Sequence, residues 1–365
     1  MYRAGIKELR MAKKSYAGRY YNYARNIVDQ VVCSFVDAFG PDELVESLAE
    51  PYFLDFLSAL CGLDEVECDR TLVMSAILKE TLTPSTGVAV MGGSKVSRFN
   101  VPAEMKKVAS IFNLSDRWVQ HLIYCSRMVA KVDSVAIQDG YDLYLHVMFL
   151  TRSRIWTIIQ QSREPFQLRV RRYHWFSGHV RSFVEEPHNG ILAELKKPAV
   201  LDMTAKKSAD ARAASVELTH YDAPKLKRLQ THYSHLYKQS RLDGKPEEVI
   251  NIIAPTGKVN WSVLHQLREY PPRSYEELLS FKGVGKELVK FLALGSIIYF
   301  NAEPSFDDPA ILSHETREQY GSKEMLWRIQ QLVEAINSSN LTVDMRRKCL
   351  SRLNALFGET EAVGG

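Results

Sequence analysis

The chain has 365 residues, 45% hydrophobic and 25% charged, with a formal net charge of +4. That length supports two or three domains and a full hydrophobic core, and the composition is that of an ordinary globular protein. The small positive charge excludes a global electrostatic field, so any nucleic-acid surface must be a local patch.

No apolar run is long enough to span a bilayer, and the charged opening residues lack a signal-peptide pattern. A cytoplasmic protein with no membrane partner is expected. Cys33, Cys61, Cys68, Cys125 and Cys349 form no C-x-x-C pair and read as free thiols.

Residues 20–39 carry helical spacing, with Ala24, Ile27, Val28, Val31, Val32 and Phe35 on one side, and Gly40-Pro41 stops the run. Further helices are predicted from Asp42 towards Leu48, over 51–63, over 72–82 before Pro84, from Pro102 through Ile111, and over 116–129. Residues 87–93 read as a short strand with a Gly-Gly turn. From Val132 the character changes: 132–149 and 154–159 are rich in β-branched and aromatic residues and read as two strands joined near 151–153. A basic, aromatic stretch follows over 163–176, and 183–186 reads as another strand ended by Pro187. Helical composition returns from Pro198, over 206–219, from Asp222-Ala223-Pro224 through Tyr233, and over 261–267. Residues 243–246 read as a turn, and the tail from Glu359 as frayed.

The predicted fold is α+β, mostly helical with a small central antiparallel sheet and a C-terminal helix-hairpin-helix. The expected division is a helical region over 1–130, a β-rich region over 131–197, a helical connector over 198–250, a hairpin region over 251–300 and a helical region over 301–365.

Ser274-Tyr275-Glu276-Glu277 has the capping-box pattern. Lys282-Gly283-Val284-Gly285 then lets the chain reverse: glycine tolerates positive φ, and Val284 plugs the space between the helices. A second apolar helix follows over 286–300. Bare glycines let a phosphate reach the backbone amides, and Lys282, Lys286 and Lys290 add contacts that position DNA without reading its sequence. On this reading, substituting both Gly283 and Gly285 by valine lowers DNA affinity and leaves the fold intact.

The hairpin resembles those of many DNA-repair and replication proteins. Nearly the whole chain is similar to an archaeal and bacterial domain-of-unknown-function family (DUF763-like). The resemblance rests on the phrases GPDELVESLAEPYF, AKVDSVAIQDGYDLYLHVMFL, RRYHWFSG, SFVEEPHNGI, AKKSADARAASVEL and YEELLSFKGVGKELVKFLALGSIIY with PSFDDP. The chain departs from that pattern at Glu287, where the family has lysine, and at 311–319, where the family is Gly-rich. The family name supplies no activity.

Chemistry is expected in the centre, where Lys131, Asp133, Gln138, Asp139, Tyr144 and His146 are joined by His174, Glu185, Glu186 and His188. Strand alternation places Gln138, Tyr144 and His146 on one face. Residues 152–181 hold seven arginines and one acid, interleaved with aromatics. Arg171, Arg172, Tyr173 and Trp175 thus read as a DNA groove, arginine for phosphate and rings for unpaired bases.

Three functional classes fit. An abasic-site lyase or glycosylase needs a desolvated lysine, for which Lys131 beside Asp133 is the best candidate. Lys286 with Asp307 or Asp308 resembles the layout of helix-hairpin-helix glycosylases. A metal-dependent endonuclease would take magnesium; Asp139 and Gln160 sit roughly where restriction-type nucleases place their strand acids, but Gln160 and Ser162 replace the second acid and the lysine, which leaves a site using Asp133, Asp139, Glu185, Glu186 and His188 for this class. A non-catalytic DNA-binding scaffold is the third. The expected partner is DNA and no cofactor is expected, magnesium entering only with the nuclease class.

Overall fold

A computed structural model describes residues 17–66, 68–94, 100–165, 169–222, 224–229, 258–312 and 323–356. The first half opens with helices α1 (Ala17–Phe39), α2 (Pro41–Ser47), α3 (Phe53–Leu60) and α4 (Arg70–Thr81), then strand β1 (Val88–Ser94), then α5 (Val101–Phe112) and α6 (Asp116–Lys131). A π-helical turn, Val132–Ala136, extends α6 into β2 (Ile137–Gln138). Strands β3 (Asp142–Thr151), β4 (Trp156–Arg163), β5 (Val170–Phe176), β6 (Gly190–Ala193) and β7 (Leu201–Asp202) follow. The rest holds α7 (Ala209–Leu218), α8 (Trp261–Glu269), α9 (Tyr275–Ser280), α10 (Lys286–Phe300), β8 (Ile311–Leu312), α11 (Lys323–Ser338) and α12 (Val343–Leu356).

The architecture is α+β, mostly helical around a small, mostly antiparallel sheet. The main sheet runs β1-β3-β4-β5-β6-β8, antiparallel except for the last pair, and β2 pairs with β7 in a separate ribbon. Helices cover both faces. The apolar stripe of α1 packs with α2, α3, α4, α11 and α12 against Leu145, Val147, Phe149 and Ile159. Helices α5 to α10 pack against Met148, Leu150, Ile158, Tyr173 and Trp175 on the other face. Alternation along β3 and β5 thus feeds two cores, and both faces being covered explains why these strands read as near-continuous apolar runs. Among the described residues, no helix is long and apolar enough to cross a membrane.

Several expected elements differ. Residues 132–136 are π-helical because α6 overruns, Val132 N–H bonding back to Met128 and Val129. The strand itself begins at Asp142, after a turn at Gly140 (φ +84). A bulge between Leu143 and Leu145 sends Tyr144 and Leu145 into the same core. Tyr144 therefore points away from His146, and its hydroxyl meets Asp69 at 2.5 Å. The Gly-Gly pair lies inside β1, where a side chain at Gly92 would strike the His146 carbonyl. Residues 183–186 form a loop: Glu186 adopts φ +41 and Pro187 follows, so pairing resumes only at Gly190. The helix start at Asp222 is capped as expected, Asp222 accepting from Lys225 N–H at 2.8 Å. The expected turn at 243–246, the helix beyond residue 229 and the tail from Glu359 lie outside the described residues.

Candidate functional site

The π-helical turn places Asp133 at the centre of a buried polar chain. Its Oδ2 accepts from the Gln160 amide and from Trp175 Nε1 at 3.0 Å, and its Oδ1 lies 2.6 Å from His188 Nε2. Gln160 Oε1 in turn meets His146 Nδ1 at 2.9 Å, and His146 Nε2 meets the Ser126 hydroxyl at 2.9 Å. π-Helical turns re-aim side chains and are frequent at functional sites. Here the extra residue turns Asp133 inward, where three donors fix its carboxyl. The Trp175 ring backs His188 at 4.4 Å between centroids.

His188 forms part of the wall of an open cleft of about 780 Å³. Glu186, Asp202, Thr204, Lys206 and Asp307 are also in its lining. Asp202 is fixed by a local turn, its Oδ1 accepting from Thr204 N–H at 2.8 Å and from the Thr204 hydroxyl at 2.6 Å. Burial raises its carboxyl above the ordinary carboxylate value, and the nearby His188 opposes that rise. Glu186 Oε1 accepts from Lys206 N–H at 3.3 Å, and its N–H donates to the Thr204 carbonyl at 2.9 Å, so the loop holding His188 is tied to the opposite wall. A positive φ at a glutamate costs on the order of 1–2 kcal/mol. Glu185 lies outside the cleft wall, paired with Arg212 at 2.5 Å.

The other expected residues are distributed differently. Lys131 is half-buried, and desolvation lowers its pKa. It is not among the partners of Asp133, which are Gln160, Trp175 and His188. Gln138 donates to the carbonyls of Val135 and Lys286, away from His146. Asp139 belongs to a second buried cluster: Arg171 reaches it at 3.0 Å and Tyr173 at 2.7 Å, and Arg171 also pairs with Asp308. Burial raises the Asp139 carboxyl, against the pull of Arg171. His174 faces the opposite core, bonded to the Leu48 carbonyl at 3.2 Å, and burial holds it neutral well below its ordinary pKa. Of the expected catalytic set, Glu186 and His188 line the cleft, and the buried Asp133 is linked to it through His188.

The central strands do not present Arg171, Arg172, Tyr173 and Trp175 as the expected DNA groove. Arg171, Tyr173 and Trp175 are fully buried, and Arg172 is buried against Asp55, Thr71 and the Pro51 carbonyl. Basic and aromatic residues in alternation are here the two inward faces of one strand, so neither phosphate nor base can reach them. The acids of the nuclease class do not gather either, because Arg171 and Arg212 hold Asp139 and Glu185 apart from Asp133. Among the described residues, no three His, Cys, Asp or Glu side chains are placed to share a metal ion.

The turn between α9 and α10 is exposed. Ser274 caps α9, accepting from Glu277 N–H at 3.2 Å, while Glu277 reaches back to Arg273 N–H at 2.7 Å. Val284 is buried, whereas Lys282 and Gly283 are exposed. Gly283 adopts φ +93, and a Cβ there would lie 2.6 Å from Val263. Gly285 caps α10 in extended conformation with open space around it. Lys286 leans on the Gly140 turn, 3.3 Å from Asp142, and burial lowers the pKa of Lys290. Burial raises the pKa of the Tyr275 hydroxyl at the start of α9, with Arg212 and Asp202 adding smaller, opposed effects.

Sequence reasoning missed Asp202, Thr204, Lys206 and Lys207. They carry no local motif; only the β2–β7 ribbon and the tied loop bring them opposite His188. Three of the phrases behind the family resemblance, SFVEEPHNGI, AKKSADARAASVEL and PSFDDP, supply most of the cleft lining. No curated protein and no solved structure matches the chain. A family model does match, over residues 17–322, and the chain belongs to that family, described as Protein of unknown function (DUF763).

Proposed function

We propose that the chain is a DNA-binding protein that processes damaged or abasic DNA. The observation behind this reading is the α9–α10 turn, read as a helix-hairpin-helix. Exposed Lys282 and Gly283 and the open space at Gly285 leave the first amides of α10 accessible to a phosphate oxygen. Such contacts grip the backbone without reading bases. The expected setting is cytoplasmic.

Chemistry in this reading shifts from the lysine to the cleft. Asp133 and His188 form a hydrogen-bonded pair whose histidine borders the cleft, whereas among the described residues no carboxylate pairs with Lys131. The experiment is fluorescence anisotropy with a labelled duplex over a salt series. The affinity of the wild type should fall steeply as salt rises, through counterion release. Gly285→Val fits the extended backbone yet fills the phosphate approach, and should weaken binding at least tenfold under conditions where the variant stays folded, valine being a poorer N-cap than glycine. Unchanged affinity in Gly285→Val and in Lys282→Glu would move binding elsewhere.

A further inference from the structure

We propose that the His188–Asp202 cleft is a glycosidic-bond hydrolase site, in which His188 activates water and Asp202 protonates the departing base of a flipped-out nucleotide. This deepens the DNA-processing reading and rests on it for the choice of substrate.

Asp133 sets the tautomer of a neutral His188. Its Oδ1 can only accept, so neutral His188 places its proton on Nε2, 2.6 Å away. That leaves Nδ1 with a free lone pair, and no hydrogen bond among the described residues uses it. Nδ1 is therefore the basic atom available to a water in the cleft. Asp202 also lines the cleft, close enough for His188 to act on its charge, with its Oδ1 occupied by Thr204, and burial shifts its carboxyl towards the protonated form. A base and an acid in contrasting environments across one space are the arrangement needed for paired proton transfer.

The lining favours a sugar over a phosphate as the reacting group. Glu186, Asp202 and Asp307 face Lys206 and Lys207, and Lys207 is already paired with Asp307. With Asp202 protonated, Glu186 and Asp307 balance Lys206 and Lys207, so the lining holds no cationic surplus for a phosphate under attack, and Glu186 is left to offset the positive charge that develops on a sugar as its glycosidic bond breaks. The volume is within the range of small-molecule sites. A base inside a duplex must leave the stack to reach such a pocket.

The step balances without a co-reactant. The water oxygen bonds to C1′ while the C1′–N bond breaks and its electron pair leaves with the base. The water proton passes to His188 Nδ1, and the Asp202 proton goes to the base nitrogen. His188 then returns its proton to Asp202 through solvent. Asp133 is a positioning residue that holds the ring.

The test uses the full chain in EDTA with duplexes that each carry one uracil, hypoxanthine, 8-oxoguanine or 3-methyladenine. Released base is read by mass spectrometry, and anisotropy is measured on the same duplexes. Free deoxyuridine and deoxyinosine are run in parallel. The expected result is release of at least one base, slowed about 100-fold or more in His188→Ala and in the isosteric Asp202→Asn. Imidazole should restore part of the His188→Ala rate. Asp133→Asn should lower the maximal rate at an unchanged half-saturating DNA concentration. Binding without release of any base overturns the inference and leaves the DNA-binding reading standing. Hydrolysis of free nucleosides without duplex binding keeps the cleft chemistry and overturns that reading. Release that persists at full rate in both His188→Ala and Asp202→Asn overturns the site.

Discussion

Nε2 of His188 stands 2.6 Å from Oδ1 of Asp133, joining the π-helical turn after α6 to the strained loop before β6 across 55 residues of sequence. The contact couples the core to the cleft. Asp133 is buried, and its other oxygen serves Gln160 and Trp175.

Removing that carboxyl strands three buried donors. A buried donor left unsatisfied costs roughly 1–3 kcal/mol, so Asp133→Ala should destabilise the fold by about 3–5 kcal/mol, the range for breaking a buried charged contact. Asp133→Asn retains one acceptor and should cost less. Urea titrations of the two variants check the order; equal stabilities would mean that the carboxyl organises nothing.

The two glycines of the α9–α10 turn should differ in what a side chain costs. Gly283 needs positive φ, and a methyl there meets Val263 at 2.6 Å. Gly283→Ala should therefore lose about 2 kcal/mol or more, combining left-handed strain with the clash. Gly285 is extended and unobstructed but caps α10, where alanine is disfavoured against glycine, so Gly285→Ala should cost only about 1 kcal/mol or less, the lost cap preference being partly offset by the stiffer unfolded chain. Thermal or urea midpoints decide it. The double valine substitution suggested by sequence alone would confound folding with binding, because Gly283 is structural.

Helical elements were the most legible in sequence, since periodicity, Gly40-Pro41 and the Ser274 cap act locally. The faces of the central strands were not. A single bulge at Tyr144 reverses which core it enters, and no residue type announces it. The π-helical turn was hidden for a similar reason: Val132 and Val135 suit a strand equally well. Arg171 and Arg172 looked like phosphate ligands because sequence shows charges but not the Asp139, Asp308 and Asp55 that bury them. The cleft was half visible. Asp133, Glu186 and His188 drew attention as polar residues in apolar surroundings, whereas Asp202 gained its position only through β2–β7 pairing.

Arg171 provides a direct check on that correction. Its guanidinium is fully buried between Asp139 and Asp308. Breaking a buried pair by removing one partner costs about 3–5 kcal/mol, so Arg171→Met should lower the urea midpoint strongly. Where the variant remains folded, its DNA affinity and the salt dependence of that affinity should match the wild type. A weaker salt dependence at intact fold would return Arg171 to the DNA surface.

Acid should unfold the protein early, through two buried histidines. Burial lowers the pKa of His146 and of His174 below the ordinary 6.5. The unfolded chain then binds more protons between the lowered values and 6.5, so the stability these residues leave intact above pH 6.5 is withdrawn as pH falls below it. Urea midpoints should decline from pH 6.5 downwards. His174→Gln removes one of the two groups and should flatten the decline; an unchanged slope would assign the acid sensitivity elsewhere.

Lys131 separates stability from chemistry most cleanly. Desolvation lowers its pKa from the ordinary 10.5. Below the lowered value the amine is charged in both states and bears its full burial cost, so Lys131→Met should be more stable than the wild type at pH 7. As pH rises from the lowered value to 10.5, the unfolded chain holds more protons, the native wild type gains, and the difference should close. The same depression raises the share of free amine near neutrality, which is what imine formation with an abasic aldehyde requires. Borohydride trapping on an abasic duplex therefore decides whether that amine is used. A covalent adduct in the wild type that is lost in Lys131→Met would make Lys131 the nucleophile. No adduct, alongside the stability gain, would leave Lys131 a desolvated structural lysine and the acid–base chemistry with His188.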